Sequence, residues 1–149
     1  MACPVLETER LILREWRDPD VDAFIVMNAD PLVMEFFPET YSEERPRRFV
    51  DRIRECWAER GYGLWAVERK DIAGFIGYVG LWPATFSAHF TPAVEVGWRL
   101  AADQWGHGYA TEAARAALAH GFDSLGLDEN VPEGHSLRPH VLYRINRKG

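Results

Sequence analysis

The spacing of apolar residues changes several times along the chain, and each change predicts an element. Leu11 and Leu13 alternate with Arg10, Ile12 and Arg14, which predicts a strand over Arg10 to Trp16. Asp18-Pro19 then reads as a helix start, with Asp18 as the cap and Pro19 at the first helical position, where a missing N–H costs nothing. Val21, Phe24 and Ile25 share a face of that helix, which is expected to end before Asp30-Pro31 because the residue ahead of a proline avoids helical backbone. A second helix begins at Ser42-Glu43-Glu44, and Phe49, Val50, Ile53, Cys56 and Trp57 form a single amphipathic stripe closed by Gly61 and Gly63. Leu64 to Glu68 and Phe75 to Trp82 read as the two strands of a hairpin around Lys70–Gly74.

After a loop from Pro83 to Pro92, a strand is predicted over Val94 to Leu100 and a helix over Tyr109 to Phe122. Ala110, Ala113, Ala114, Ala117 and Leu118 make a stripe small enough to let that helix lie close to a sheet. A last strand, His140 to Arg147, carries Val141, Tyr143 and Ile145 in phase. The order β-α-α-β-β-β-α, then β, gives an α+β (mixed α/β) fold with a central, mostly antiparallel sheet flanked by helices.

The chain of 149 residues suits one domain, taken here as 1–149, and is short for two. Its net charge of −6, from 17 basic and 23 acidic residues, argues against a general nucleic-acid partner and is mildly compatible with a cationic acceptor. No apolar run approaches the roughly 20 residues that span a bilayer, so no membrane role is expected. The start, Met1-Ala2-Cys3-Pro4-Val5, lacks a basic region followed by an apolar stretch; with only Cys3 and Cys56, the expected location is the cytoplasm.

The most informative segment runs from Glu95-Val96-Gly97-Trp98-Arg99-Leu100 into Trp105-Gly106-His107-Gly108-Tyr109-Ala110-Thr111-Glu112-Ala113. A strand gives way to a two-glycine loop that opens directly into a helix. A helix start offers unpaired N–H groups and the positive end of the macrodipole, and glycines keep side chains away from an anion that approaches the backbone. The chemistry suggested is a pyrophosphate of a nucleotide-like cofactor. A dinucleotide fingerprint would need a third glycine and an early βαβ position, and a P-loop would need Gly-Lys-Ser/Thr; neither is present.

This glycine loop resembles the acetyl-CoA loop of the GCN5-related N-acetyltransferases (GNAT), and most nearly the branch that acetylates ribosomal-protein N-termini. Leu6-Glu7-Thr8-Glu9-Arg10-Leu11-Ile12-Leu13-Arg14 resembles the first strand of that branch, and Asn28-Ala29-Asp30-Pro31-Leu32-Val33-Met34 the end of its first helix. The resemblance implies acetyl-CoA as co-substrate, with its pantetheine arm along the backbone of Trp98, Arg99 and Leu100. Its pyrophosphate would sit on the N–H groups of Gly106, His107, Gly108, Tyr109, Ala110 and Thr111. Trp105 stands where the family often has Arg or Gln. The implied acceptor is a primary amine, on a small molecule or a protein N-terminus.

An amine must lose a proton before it attacks a thioester, and a departing thiolate can take one. Glu95 is the first candidate base, because strand alternation puts it on the face opposite Val94, Val96 and Trp98 and because a carboxylate in an apolar cleft is a stronger base. A surface ion pair is the ordinary alternative for it. His107 is a second candidate base, although a histidine in this loop more naturally meets phosphate or solvent. Tyr143 is the candidate general acid. Trp65 and Trp82 could line an acceptor cleft, or simply be core. The arginines Arg47, Arg48, Arg52 and Arg54 could form a substrate or phosphate patch, against the ordinary reading of a solvated face. No metal is expected, since His89, His107, His120, His135 and His140 lack ligand spacing and no Cys-x-x-Cys occurs.

The resemblance also implies a late strand and helix between the alanine-rich helix and the final strand. Leu127-Asp128-Glu129-Asn130 runs almost directly into Val131 to Arg138, so one strand and one helix, roughly 25 residues with their loops, are expected to be lacking. An internal deletion, an omitted piece and a wall supplied by a second copy in a homodimer stay open. So does a non-catalytic coenzyme-binding module.

Overall fold

The structure, a computed structural model, describes residues 3–34, 43–83, 93–124 and 140–143. Six strands form one sheet in the order of the chain: β1 (Leu6–Glu7), β2 (Leu11–Arg14), β3 (Leu64–Arg69), β4 (Gly74–Pro83), β5 (Ala93–Leu100) and β6 (His140–Tyr143). Strands β1 to β5 are antiparallel to their neighbours, and β6 runs parallel to β5. Helices α1 (Asp18–Asn28) and α2 (Glu44–Arg60) cover one face, and α3 (Tyr109–Ser124) covers the other. The two faces follow from the register. Tyr78 pairs with Arg99 and meets Phe24 of α1 and Phe49 of α2, whereas Trp65, one step out of phase, meets His120 of α3 at 5.4 Å.

The expected stripes are the buried ones. Val50, Ile53, Cys56 and Trp57 are the core side of α2, and Gly61, in left-handed backbone, caps the helix through its N–H to the Trp57 carbonyl. Ala110, Ala113, Ala114 and Ala117 are buried along α3, and their small side chains let the helix lie against β4 and β5. Trp65 is fully buried and donates its indole N–H to the Pro4 carbonyl, so it is a core residue and does not line a cleft. Trp82 is half-buried, against Phe49 on the α1–α2 face.

Two details differ from the sequence reading, and two more are settled only by the structure. The first strand is two: Leu6–Glu7 pairs back on Ile12 and Leu13, because the chain reverses through Thr8, whose N–H donates to the Leu11 carbonyl and whose hydroxyl oxygen accepts the Leu11 N–H. Asp18 is not the cap of α1. Arg17 holds the cap position, and the Asp20 carboxylate accepts the Arg17 N–H at 2.8 Å, which satisfies the helix start from inside the first turn. Arg14 is buried, with a two-pronged bond to Asp20 (2.6 and 3.1 Å) and a third to Glu68 (2.8 Å). The last strand, whose direction the pattern leaves open, runs parallel to β5, and only His140–Tyr143 of its expected span falls within the described residues. The loop from Pro83 to Pro92, with His89, and the stretch holding Asn130 and His135 lie outside the described residues beyond Pro83 itself.

Candidate active site

Strand β5 has two halves with different neighbours. Ala93 to Val96 pair with β6 on one side and β4 on the other. Among the described residues, Gly97 to Leu100 pair with β4 alone. Among the described residues the parallel pairing ends at Val96, and beyond it lies a notch lined by main-chain donors and acceptors that want partners. The backbone of Trp98, Arg99 and Leu100, expected to carry the pantetheine arm, borders that notch. The indole N–H of Trp98 is buried with no hydrogen-bond acceptor among the described residues, a second unmet donor on the same segment.

Glu95 lies next to the notch and is only 8% exposed. It faces the α1–α2 side of the sheet, opposite Trp82 on β4 and Leu142 on β6. Tyr143 is the register partner of Val96, one position along from Glu95. The backbone register thus puts residues more than forty positions apart in the chain on successive rungs. Arg99 shares the Glu95 face; its Nη1 donates to Asn28 Oδ1 at 2.6 Å, and its guanidinium lies over the Tyr78 ring at 5.5 Å.

From Leu100 the chain passes through one tight turn, Ala102–Gln104, and reaches the glycines. Gly106 and Gly108 both have left-handed backbone, at φ +82° and +80°. A side chain at either position would carry a steric cost of roughly 1–2 kcal/mol, and this is why glycine stands twice in so short a loop. A Cβ at Gly106 would meet nothing within 4 Å, so the loop faces open space. The first bond inside α3 is donated by Glu112 to the Gly108 carbonyl at 3.0 Å, so the N–H groups of Tyr109, Ala110 and Thr111 belong to the first turn, which has no acceptors of its own. Trp105, in place of the family's Arg or Gln, donates its indole N–H to the Leu100 carbonyl at 3.0 Å and pins the end of β5 to the loop. An open loop with two left-handed glycines, a run of donors and a strand edge without a partner among the described residues would fit a coenzyme.

The loop is held from behind by residues that local pattern did not single out. The Glu112 carboxylate accepts from Thr8 Oγ1 (2.5 Å), Arg10 N (2.9 Å) and Arg10 Nε (2.6 Å). Arg10 Nη1 then donates to the His107 carbonyl at 2.8 Å, and its guanidinium lies 4.5 Å from the Tyr109 ring centre. Arg69 sits over the same ring at 5.2 Å and donates to Gln104 at 3.0 Å. Burial pushes the Glu112 carboxyl up, but its bonds from Thr8 and Arg10 win and hold it below its ordinary value. These partners are about a hundred positions apart, so no window of sequence contains the pair. His107 touches Tyr109 with ring centres 5.6 Å apart, away from the Glu95 face of the sheet.

Among the described residues no helix is long and apolar enough to cross a membrane. The family model of the acetyltransferase (GNAT) domain matches residues 10–134. The N-acetyltransferase YoaA of Bacillus subtilis (strain 168) is 29% identical over 126 residues, which cover 83% of this chain and 70% of that protein. The crystal structure of an acetyltransferase from Agrobacterium tumefaciens strain C58 has a TM-score of 0.72 and 28% identity, covering 85% of this chain and 71% of that one. RimL, a ribosomal L7/L12 alpha-N-protein acetyltransferase crystallised with coenzyme A, shares the fold at a TM-score of 0.59 and 18% identity, covering 79% of this chain and 67% of that one.

Proposed function

Because this chain belongs to the GNAT family of acetyltransferases, we propose that it transfers the acetyl group of acetyl-CoA to a primary amine, with Glu95 as the base. The arrangement that supports this reading most is the notch beside Gly97–Leu100 leading into the left-handed glycines at the start of α3. Main-chain groups of Trp98, Arg99 and Leu100 align the donor as an added strand would. The N–H groups from Gly106 to Thr111 take its pyrophosphate, where the helix end favours negative charge. Acetyl-CoA supplies an activated acyl group as a thioester.

The protein's part is positioning and proton transfer. Glu95, largely withdrawn from water at the mouth of the notch, accepts a proton from the amine directly or through one water, which frees the lone pair. Tyr143, one rung away, is proposed to protonate the departing thiolate. His107 is assigned to the donor loop and not to proton transfer. The acceptor is an amine on a small molecule or a protein N-terminus, approaching from the α1–α2 side that Glu95 faces. The whole reading takes 1–149 as one catalytic domain.

The test is thiol release from acetyl-CoA with a panel of primary amines. Release with at least one amine is expected, and it should require that amine. If the protein binds coenzyme A by calorimetry and releases thiol with none of them, it is a coenzyme-binding module without turnover.

A further inference from the structure

We propose that the acceptor is a small amine that also carries a carboxylate, held by Arg52 and Arg48 of α2. This deepens the acetyltransferase reading and rests on it for the position of the amine. A cavity of about 500 Å³ opens on the α1–α2 face. Its lining includes Arg45, Arg48, Arg52 and Arg99, with Phe24 and Phe49 as apolar walls, and no carboxylate is among the described residues that line it. That volume suits a molecule of amino-acid to dipeptide size. A concentration of guanidinium groups is unexpected in a chain whose net charge is −6, so it is a local feature and not a by-product of composition.

The α2 arginines divide into two sets. Arg47 pairs with Glu43 and Asp22, and Arg54 reaches Asp18, so these two belong to a solvated, ion-paired face. Arg52 makes no ion pair among the described residues, and its guanidinium lies 5.9 Å from the Trp82 ring centre. Arg48, 3.5 Å from Glu44, is held by one exposed intrahelical pair, an interaction too weak to compete with a bound anion. Trp82 is the register partner of Glu95. Arg52 therefore joins the cavity to the residue opposite the proposed base. An acceptor whose anionic end lies on Arg52 and Arg48 has its amine directed toward Glu95. A guanidinium pair on a carboxylate offers parallel bonds of fixed geometry, which a neutral or cationic amine cannot use. The catalytic step stays that of the proposed function: an amide N–C bond forms, the thioester C–S bond breaks, and the amine proton passes to Glu95.

The experiment uses the full chain saturated with coenzyme A, so that the donor's own phosphates occupy their site. Glutamate and its dimethyl ester, which keeps the amine and loses the negative charge, are titrated by calorimetry and then tried as acceptors with acetyl-CoA. Glutamate is expected to bind at least tenfold more tightly than the ester. Arg52→Met should erase that difference, Arg52→Lys should keep part of it, and Arg48→Gln should reduce it. Arg52 is exposed, so these variants are expected to fold, and circular dichroism checks that they do. Equal affinity for acid and ester, or binding of neither, overturns the inference while leaving amine acetylation standing if other amines turn over. Weaker coenzyme binding in Arg52→Met would assign the arginines to the donor and overturn it as well. Discrimination in binding, with no thiol release from glutamate or from any other amine of the panel, would sustain the carboxylate site and defeat the acetyltransferase reading.

Discussion

Glu95 and Gly108 carry the two separable tasks of the site, proton removal and donor binding. Glu95→Gln keeps the shape and the hydrogen-bonding capacity of the side chain and removes only its basicity. Turnover should fall about a hundredfold, in the usual range for a lost general base, while coenzyme affinity by calorimetry stays within twofold. Normal turnover by Glu95→Gln across the pH range would return Glu95 to the role of a buried structural carboxylate. Gly108→Val acts in the opposite direction. Its backbone sits at φ +80°, and an added Cβ would come within 3.4 Å of Arg10 Nη2. A β-branched residue there is strained by roughly 1–2 kcal/mol, and its side chain presses on the Arg10 guanidinium that holds the loop in place. Coenzyme affinity should drop tenfold or more, with thermal stability lowered only modestly.

Between elements, the contact that matters most is the one from the β1–β2 turn to α3. Glu112 is the hub, with three bonds to Thr8 and Arg10 and a side chain only 19% exposed. Glu112→Gln loses the charge and at least one good acceptor geometry, at a cost of about 1–3 kcal/mol. Because the folded carboxyl lies below its ordinary value, its contribution is present in full above the unfolded pKa of about 4.3 and drains away as pH falls through the folded value. The melting temperatures of wild type and Glu112→Gln should therefore differ most at neutral pH and converge in acid below about pH 4. A gap that stays constant across that range would mean the side chain acts through packing alone.

The same hub shows where sequence patterning reaches its limit. Stripes of period 3.6, such as Val50-Ile53-Trp57 and Ala110-Ala113-Ala117, are local and were readable, and so were the β3–β4 hairpin and the glycine loop. The Arg10–Glu112 clamp joins residues on opposite sides of the chain's middle, and nothing in either neighbourhood signals the other. The burial of Arg14 is invisible locally for the same reason: its strand position is covered by α1, whose Asp20 is already committed to the helix start. Strand direction is likewise invisible to alternation, so β6 could be read as a strand but not as a parallel one.

At the scale of the whole molecule, the sheet is a continuous antiparallel surface that changes character at its last pair. Antiparallel neighbours satisfy one another along their full length, as β4 and β5 do from Gly77 to Leu100 through Pro83 to Val94. Among the described residues the parallel partner covers Ala93 to Val96 of β5, and the other half of the strand leads to the N-terminus of α3. A ligand that adds itself to this edge and reaches the glycines would close both openings at once. Hydrogen exchange reads this directly. With coenzyme A at about a hundred times its Kd, global protection rises by ~2.7 kcal/mol, or about a hundredfold slower exchange, for every amide that exchanges only on full unfolding. Strands β2 and β3 should show no more than that. Amides of Gly97 to Leu100 without a partner on β4, and those of Gly108 to Thr111, exchange from the folded state through solvent contact or small openings. They should change from fast to protected, a change of pattern and not only of rate. Uniform slowing along the chain, with those amides still fast, would place the coenzyme elsewhere and leave the notch without an occupant.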